Sequence, residues 1–592
     1  MHDARFADAA SAYLCIPPQL LLHASFVADS DGGSLLLRLL SPPLGAASSS
    51  LLLRKSASRA SLVAALCAKQ QAAAPSDQSD AARDAAHLLE QLEGPCANLR
   101  LITIEARVAA SASGAAASWA AQLSVLAYAH VAPFRRLKVL LNPIGGPGKA
   151  RVLFAQRIRP ILEAAGCVLD VEVTRRAFHG TEIARAVDID AFDGIVCVSG
   201  DGMLHEVLNG LASRADARAA LRKLFVAPIP TGSGNGVAVN ILGAQEGFNL
   251  ALACLNVIKG RAMKIDVCSV TQPRVEMPKR KGKPAPNGVA ATQEAQEMKP
   301  YTHVYSFLSQ AIGLMADIDL GTEHMRALGD ARFVIGYIGG VLANKECEVD
   351  VYVKLGEQGT LNRDEMRRRM LDASKEPAWS SGGDADAQQG DEAPPLRHGA
   401  VTETLRDAHG EPLELSSLPE LSLHDPSWPY SVASSSSPPP SSSSASSSWH
   451  RIPASISALY AGKLPYVGRD LLQFPFAAPG DGLVDVALTL HGGGRAAKLR
   501  AINGAETGNV VYDAALAYLK CEAYRVVPRR KAGDKSLKKG GLISIDGEHS
   551  PYVPFQVEVA SSLQLRVLSL FGHFVVPPLA VPTPPGSAAP RA

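Results

Sequence analysis

Three glycine-rich turns, each placed where an apolar run gives way to a helical pattern, constrain this chain more than any other feature. The first lies in LKVLLNPIGGPGKA: residues 139–141 read as a strand, Asn142-Pro143-Ile144-Gly145-Gly146-Pro147-Gly148 as the turn, and Lys149 as the opening of a helix. The second lies in GIVCVSGDGMLHEVLNGL. Residues 195–198 read as a buried strand, Ser199-Gly200-Asp201-Gly202 as the turn, and Leu204, Val207, Leu208 and Leu211 as one face of a helix. The third lies in LFVAPIPTGSGNGVAVNILG, with a strand at 225–229 and the turn Thr231-Gly232-Ser233-Gly234-Asn235-Gly236. A glycine turn that feeds a helix N-terminus offers free N–H groups to an anion. In an open α/β sheet such turns face the ligand crevice at the carboxyl ends of the strands. One glycine turn is weak evidence, but three on successive strand-to-helix junctions within about a hundred residues form a polyphosphate-binding edge.

Asp201 stands between two glycines that let a substrate approach the backbone, and a carboxylate placed there suits a general base. An Asp between glycines is also an ordinary turn or N-cap residue, so the neighbouring loops decide between the two. The first loop is not a Walker A sequence, because Ala150 follows Lys149, and it is not GxGxxG. His205-Glu206 lacks the second His of a zinc motif; Glu206 suits the dipole of its own helix, and both residues are expected to be structural.

Around the loops the chain alternates strand and helix. A helix is expected over 149–165 with Val152, Ala155, Ile158, Ile161 and Leu162 inward, a strand over 168–173, and a helix over 181–187 with Thr181 as N-cap. This alternation predicts a parallel, Rossmann-like α/β sheet over residues 132–265. Ahead of it, a helix over 118–130 places Trp119, Leu123, Leu126 and Ala127 on one face, and residues 1–115 read as a small β-rich extension, either a membrane-docking module or a regulatory or purely packing one. Residues 273–300, with Lys279-Arg280-Lys281-Gly282-Lys283, read as a disordered basic insert. Residues 301–576 read as a β-rich (β-sandwich) second part, interrupted at about 372–450 by a disordered insert that holds the Ser/Pro tract 434–448, and 577–592 as a disordered tail. Asp481 and Asp485 are expected to be structural, and the basic loop with Arg529, Arg530, Lys531, Lys535, Lys538 and Lys539 a solvated surface. Asp317 and Asp319, read as extended, share a face and suit a metal, a cationic amine or a turn.

Composition excludes several classes. The net charge of +2 over 592 residues gives no global field for nucleic acid. Nine scattered cysteines, without a CxxC pair or a Cys/His cluster, argue against a zinc site or a disulfide framework and fit a reducing compartment. Asp3 and Arg5 precede a short apolar stretch broken by Pro17-Pro18, unlike a signal peptide, and His2 stands where N-myristoylation requires glycine. No apolar run reaches the roughly 20 residues that span a bilayer. The expectation is a cytoplasmic protein that meets membranes peripherally.

NPIGGPGKA, SGDGMLHEVLNGL and PTGSGNGVA together resemble the catalytic core of the sphingosine (sphingoid long-chain base) kinases, a branch of the diacylglycerol kinase-like lipid kinases. ADIDLGTEHMRALGDARFVIG, from Ala316, and LYAGKLPYVGRDLLQFPFAAPGDGLVDVALT, from Leu459, resemble that branch more closely. The resemblance runs from about Trp119 to about Phe571 apart from the two inserts, and the N-terminal extension is similar to that of fungal-type members. It implies ATP with Mg²⁺ as cofactors and Asp201 as the base. The loops at Asn142, Pro143, Ile144, Gly145, Gly146 and Gly148, at Ser199, Gly200 and Gly202, and at Gly232, Ser233 and Gly234 would hold the nucleotide, with Ser199, Gly200, Asp201 and Gly202 also facing the lipid. Thr174, Arg175 and Arg176 would border the nucleotide, although both arginines read equally as solvated surface charges. Arg326 and Arg332 would bind phosphate, Asp546, Gly547 and Glu548 would return to the nucleotide, and Asp319 would hold the amino-alcohol head of the base. One departure, Gly236 where the family commonly has Ala-Leu after the Asn, puts the start of that helix in question.

The function implied is ATP-dependent phosphorylation of the primary hydroxyl of sphingosine, dihydrosphingosine or phytosphingosine to the 1-phosphates, in sphingolipid metabolism and signalling. The rivals are a diacylglycerol or ceramide kinase, against which Asp319 stands; a NAD kinase, which leaves residues 316–333 unexplained; and an inactive lipid-binding scaffold, against which Asp201, both arginines and the Asp546-Gly547-Glu548 turn stand.

Overall fold

The first apolar runs are too short for helices and end at polar or glycine turns, so they form strands. In the computed structural model, which describes residues 12–14, 18–41, 53–55, 99–129, 131–146, 148–273, 301–322, 331–354, 416–418, 449–452, 454–513, 516–529 and 541–577, β1 (Leu21–Asp29), β2 (Gly32–Ser41) and β3 (Arg100–Ala109) make an antiparallel three-stranded sheet. Helix α1 (Ser113–Ala127) closes it, packing Ala120 and Ala127 with half-buried Leu123 onto Leu21, Ala24, Leu37 and Leu39. The expected face is half right: Leu123 and Ala127 meet the sheet, whereas Trp119 is 46% and Leu126 45% exposed. The small side chains let the helix lie close to the sheet, with Ser124 Oγ donating to the Ala24 carbonyl at 3.2 Å. Leu20, Leu22, Leu40 and Leu99 continue into the core of the next layer, so sheet and helix are seated on it.

That layer is the α/β unit. Strands β4 (Arg136–Leu141), β5 (Val168–Val173), β6 (Gly194–Ser199) and β7 (Phe225–Pro230) are all parallel, in the order β5-β4-β6-β7. Every residue of β6 and β7 is buried, as strands covered on both faces must be. Helix α2 is continuous from Ala150–Leu153 through a π-helical turn, Phe154–Ile158, into Arg159–Ala164. The wider turn rotates the inward stripe, so Phe154, Ile158, Ile161 and Leu162 are buried while Val152 and Ala155, expected inside, are exposed. Helix α3 (His179–Ala186) starts two residues earlier than expected, after Phe178 in a left-handed conformation at φ 63°, so Thr181 is a buried helical residue and not the N-cap. Helices α4 (Asp201–Ala212), α5 (Ala217–Lys223), α6 (Gly236–Leu242) and α7 (Leu250–Lys259) complete the unit.

The rest is β-rich. Its main strands are β8 (Arg261–Pro273), β9 (Tyr301–Ser306), β10 (Ser309–Gly313), β11 (Val349–Lys354), β12 (Ile456–Gly462), β13 (Val484–Leu490), β14 (Leu516–Cys521), β15 (Ala523–Pro528), β16 (Ile543–Ile545), β17 (Glu548–Ser550) and β18 (Phe555–Ser569), with helices α8 (Leu314–Asp319), α9 (Ala331–Ala343) and α10 (Gly494–Thr507). Long β18 pairs with β8 and β15 and meets β7 in parallel at Val567 and Val226, so the parallel sheet runs on into the second one. A six-stranded sheet, β14-β13-β12-β10-β16-β17, lies opposite. Val351, Tyr524, Val526 and Val557 from one sheet pack against Ile312, Leu459, Val486 and Leu519 from the other, which makes the sandwich. The expected insert at 372–450 contributes one short strand, Ser416–Leu418, to the strand Trp449–Ile452 on the edge of β11. Residues 274–300, the Ser/Pro tract, 530–540 and 578–592 lie outside the described residues. Among those described, no helix is long and apolar enough to cross a membrane.

A buried ionic knot ties the turn at 479–483 to the sandwich. Lys463 Nζ lies 3.2 Å from Asp266 and 2.7 Å from Asp481; Lys520 Nζ lies 2.8 Å from Asp481 and 2.7 Å from Asp485. Burial lowers and the Asp481 and Asp266 charges raise the Lys463 ammonium, and the charges win. Asp481 and Asp485 thus serve the fold. Removing one partner leaves a buried charge alone, so Lys463→Met is expected to cost about 3–5 kcal/mol in urea unfolding. Arg107→Ala, which breaks the exposed pair with Asp29, is expected to cost less than about 1 kcal/mol. Similar losses for the two would contradict the assignment.

Candidate active site

The carboxyl ends of β4, β6 and β7 bring the three glycine turns edge to edge. A Cβ on Gly232 would fall 2.5 Å from the Gly200 Cα, and one on Gly146, which has φ 55°, 2.6 Å from the Thr231 carbonyl. Backbone packs directly on backbone there, and only glycine permits it. Asn142 Oδ1 accepts the Ile144 and Gly145 N–H groups, both at 3.1 Å, and folds the first turn. Ile144 is 84% exposed, and Gly148, Ser233 and Gly234 lie on the open side. Ser199 is buried behind them, and its carbonyl accepts Thr231 N–H at 3.2 Å. Thr231 Oγ1 and Asn235 Oδ1 are buried without a hydrogen-bond partner among the described residues.

Asp201 is the first residue of α4, after Gly200 as N-cap. Its carboxylate turns to the third loop. Oδ2 accepts Gly236 N–H at 2.5 Å and Oδ1 accepts Val237 N–H at 3.2 Å. Gly236 therefore begins α6, after Asn235 at φ 76°, and supplies the shorter of these two bonds. Burial raises Asp201 to about 6, against the pull of those two N–H groups.

One turn further along α4, His205 Nδ1 lies 2.9 Å from Asp546 Oδ2. Glu206 caps a different helix from its own: its carboxylate accepts Phe178 N–H at 3.0 Å and Gly180 N–H at 2.8 Å at the start of α3. Asn209 Nδ2 donates to the Tyr305 carbonyl at 2.9 Å and its Oδ1 accepts Tyr305 N–H at 2.8 Å, completing the edge of β9. Asp201, His205 and Asn209 thus form a polar stripe at i, i+4 and i+8 on a largely buried helix. That stripe, with Glu206 beside it, was the sequence signal for what His205, Glu206 and Asn209 do.

The other expected site residues divide. Asp546 is buried, and its carboxylate also accepts Ser306 Oγ–H at 2.6 Å and the N–H groups of Phe307, Leu308 and Ser309 at 3.1, 3.0 and 2.9 Å. It is consumed by the fold, which corrects the expectation that it faces a nucleotide. With φ 50° at Asp546 and 83° at Gly547, these two residues form the tight turn of the β16–β17 hairpin. Glu548 comes next on the open side, its Oε1 3.6 Å from where a Cβ on Gly202 would sit. Thr174 is buried, its N–H 2.9 Å from the Leu141 carbonyl. Arg175 and Arg176 are exposed, and Arg176 pairs with Glu182 of α3 at 2.6 Å, as a surface charge does.

Asp317 and Asp319 lie on helix α8 and not on an extended segment, so two residues apart they point to different sides. Asp317 is exposed. Asp319 is half-buried, and Ser544 Oγ of β16 donates to it. Its charge, after burial, pushes up the Tyr460 phenol of β12, a neighbour missed from sequence along with Ser544. Arg326 lies outside the described residues, and so does the side chain of Arg332 in the first turn of α9.

The two acids of the hairpin turn therefore separate by experiment. Asp546→Ala strips several buried donors of their acceptor and is expected to lower stability by more than about 3 kcal/mol. Glu548→Ala, at an exposed position, is expected to stay within about 0.5 kcal/mol. Chemical unfolding of both variants checks this, and an Asp546→Ala protein as stable as the parent would contradict it.

The diacylglycerol kinase catalytic domain family matches residues 136–270. The chain is 30% identical over 457 residues to Sphingoid long chain base kinase 5 of Saccharomyces cerevisiae, a match covering 74% of this chain and 59% of that protein. It is 28% identical over 441 residues to Sphingoid long chain base kinase 4 of Schizosaccharomyces pombe, covering 74% of this chain and 76% of that protein. A solved structure described as a putative diacylglycerol kinase from Bacillus anthracis str. Sterne aligns over 74% of this chain and 96% of its own, at 13% identity and a TM-score of 0.41. The matched span of 136–270 holds all three glycine turns and Asp201 and is similar to the diacylglycerol kinase catalytic domain family, and the similarity to the yeast sphingoid long-chain base kinases reaches well beyond it.

Proposed function

We propose that this chain transfers the γ-phosphoryl group of ATP to the primary hydroxyl of sphingoid long-chain bases, giving their 1-phosphates. The observation that carries the reading is Asp201: a buried carboxylate at the junction of the second and third glycine turns, fixed by two backbone N–H groups and raised to about 6 by burial. A base with that pKa is ionised at neutral pH yet retains affinity for a proton. Asp201 takes the hydroxyl proton as the oxygen attacks the γ-phosphorus, and ADP leaves with the bond to the bridging oxygen. The glycine turns, with Thr231 and Asn235 behind them, hold the phosphates; their open N–H groups and the unpartnered Thr231 hydroxyl fit an anion. Arg326 and Arg332 would add charge to the same phosphates.

No group of three or more His, Cys, Asp or Glu side chains that could hold a metal occurs among the described residues. Glu548, beside Gly202, is the protein carboxylate that would help hold a magnesium ion brought in with the nucleotide. Such an ion neutralises charge on the phosphates.

Asp319 favours a substrate with a protonated amine, since a half-buried carboxylate beside Ser544 and Tyr460 suits a cation. Diacylglycerol and ceramide have no basic amine. Access from a bilayer is supported by Ile335, Ile338 and Leu342 of α9 and Leu499 of α10, each 48–64% exposed. Arg495 of α10 bonds the Leu342 carbonyl between them. This face suits peripheral contact with a membrane.

Purified chain with Mg²⁺, labelled ATP and a panel of sphingosine, phytosphingosine, ceramide and diacylglycerol is expected to label the free bases alone, and Asp319→Asn to raise KM for the bases about tenfold or more. Labelling of diacylglycerol or ceramide instead would overturn the substrate assignment. The pH profile follows from Asp201. A carboxylate raised to about 6 loses its proton as pH rises through that value, so kcat/KM is expected to climb through pH about 6 and level off above it. The same ionisation works against stability: the protonated form favours folding at low pH, and that contribution is lost as pH rises through about 6. A flat profile between pH 5 and 7 (about one unit either side of the expected midpoint) would exclude Asp201 as the base.

A further inference from the structure

Glu548 is the acid of the hairpin turn whose Oε1 lies 3.6 Å from where a Cβ on Gly202, in the Asp201 turn, would sit. A tie between the hairpin turn and the α/β unit runs through its neighbour. Asp546, two residues before it across a tight turn, receives five hydrogen bonds among the described residues: four from residues 306–309 and the fifth from His205. Since Asp546 accepts in the other four, His205 Nδ1 is the donor in the fifth. Its Nε2 then faces Asn209 Nδ2 at 3.4 Å as an acceptor. His205 is buried and stands one helical turn from Asp201. The hairpin turn allows little slack, because both its residues sit in left-handed conformations that fix the direction of the chain into Glu548.

We propose that His205 is a positioning residue that sets Glu548 against the Asp201 turn. It acts by holding Asp546, and through it the whole β16–β17 turn, to the helix that carries Asp201. The proposal rests on the phosphoryl-transfer reading of the site. A misplacement of about an ångström among the groups around the reacting atoms costs up to about a hundredfold in rate, so the loss of this tie falls on turnover.

The test compares kcat and KM of the full chain with those of three variants, with sphingosine as acceptor. His205→Asn keeps an N–H near the place of Nδ1. His205→Gln moves its N–H about one bond further out, and His205→Phe keeps the ring without a donor. Phe and Gln are expected to lower kcat about 10- to 100-fold with KM for sphingosine within about twofold, and Asn to stay within about threefold of the parent. In a Glu548→Ala background, His205→Phe is expected to cost less than about threefold more, because its effect runs through the side chain already removed. A Phe variant with parental kcat, an Asn variant as impaired as Gln, or full additivity with Glu548→Ala would overturn the assignment. If the Phe variant does not fold, the Asn–Gln comparison decides alone. A parent chain with no transfer activity overturns the phosphoryl-transfer reading and this proposal with it, whereas an active parent with the wrong variant pattern overturns only the role of His205.

Discussion

Four side chains on one helix hold this site together. Asp201, His205, Glu206 and Asn209 of α4 bond, in turn, the start of α6, the β16–β17 turn, the start of α3 and the edge of β9. Each bond satisfies a backbone or side-chain group that burial would otherwise leave costly. The first two bonds also reach the glycine turns directly, since Gly236 closes the third turn and Glu548 of the β16–β17 hairpin lies beside Gly202. The helix can bear this load because the rest of its surface is apolar: Leu204, Val207, Leu208 and Leu211 are buried to within 1% of full coverage. A rigid apolar face sets the position, and the polar stripe transmits it.

The glycine turns supply the complementary constraint. They meet at separations that exclude any Cβ, so the crevice is lined by backbone and its shape is set by the order of β4, β6 and β7. A phosphate site of that kind needs no charged side chain to be specific, since N–H groups and helix ends provide the field. On the proposed reading, selectivity for the acceptor comes from the β-rich part, where Asp319, Ser544 and Tyr460 converge from α8, β16 and β12.

Much of this was legible in the sequence, for a physical reason: strand, glycine turn and helix are local features, and their period and punctuation appear in the residues themselves. The three turns, the parallel strands and the face of α4 lie where periodicity puts them. What the sequence hid depends on contacts between distant segments. Asp546 looks like a site acid, but its partners lie 237 to 341 residues away, and only the fold shows that they exhaust it. Glu206 satisfies the dipole rule for its own helix, yet it serves the neighbouring one. Asp317 and Asp319 alternate as a strand would, and tertiary packing made them helical. Trp119 was misplaced because bulk marks a buried face less reliably than closeness of approach, which favours alanine at Ala120 and Ala127.

The central claim is that Asp201 removes the substrate proton from within a crevice built of backbone. Single-turnover transfer from labelled ATP to sphingosine by Asp201→Asn tests it most directly. The substitution keeps the shape and one of the two acceptors for the α6 N–H groups but removes the base. The account predicts a chemical step slowed by about a hundredfold or more, with the protein folded and ATP still bound. Transfer within about threefold of the parent rate would contradict it.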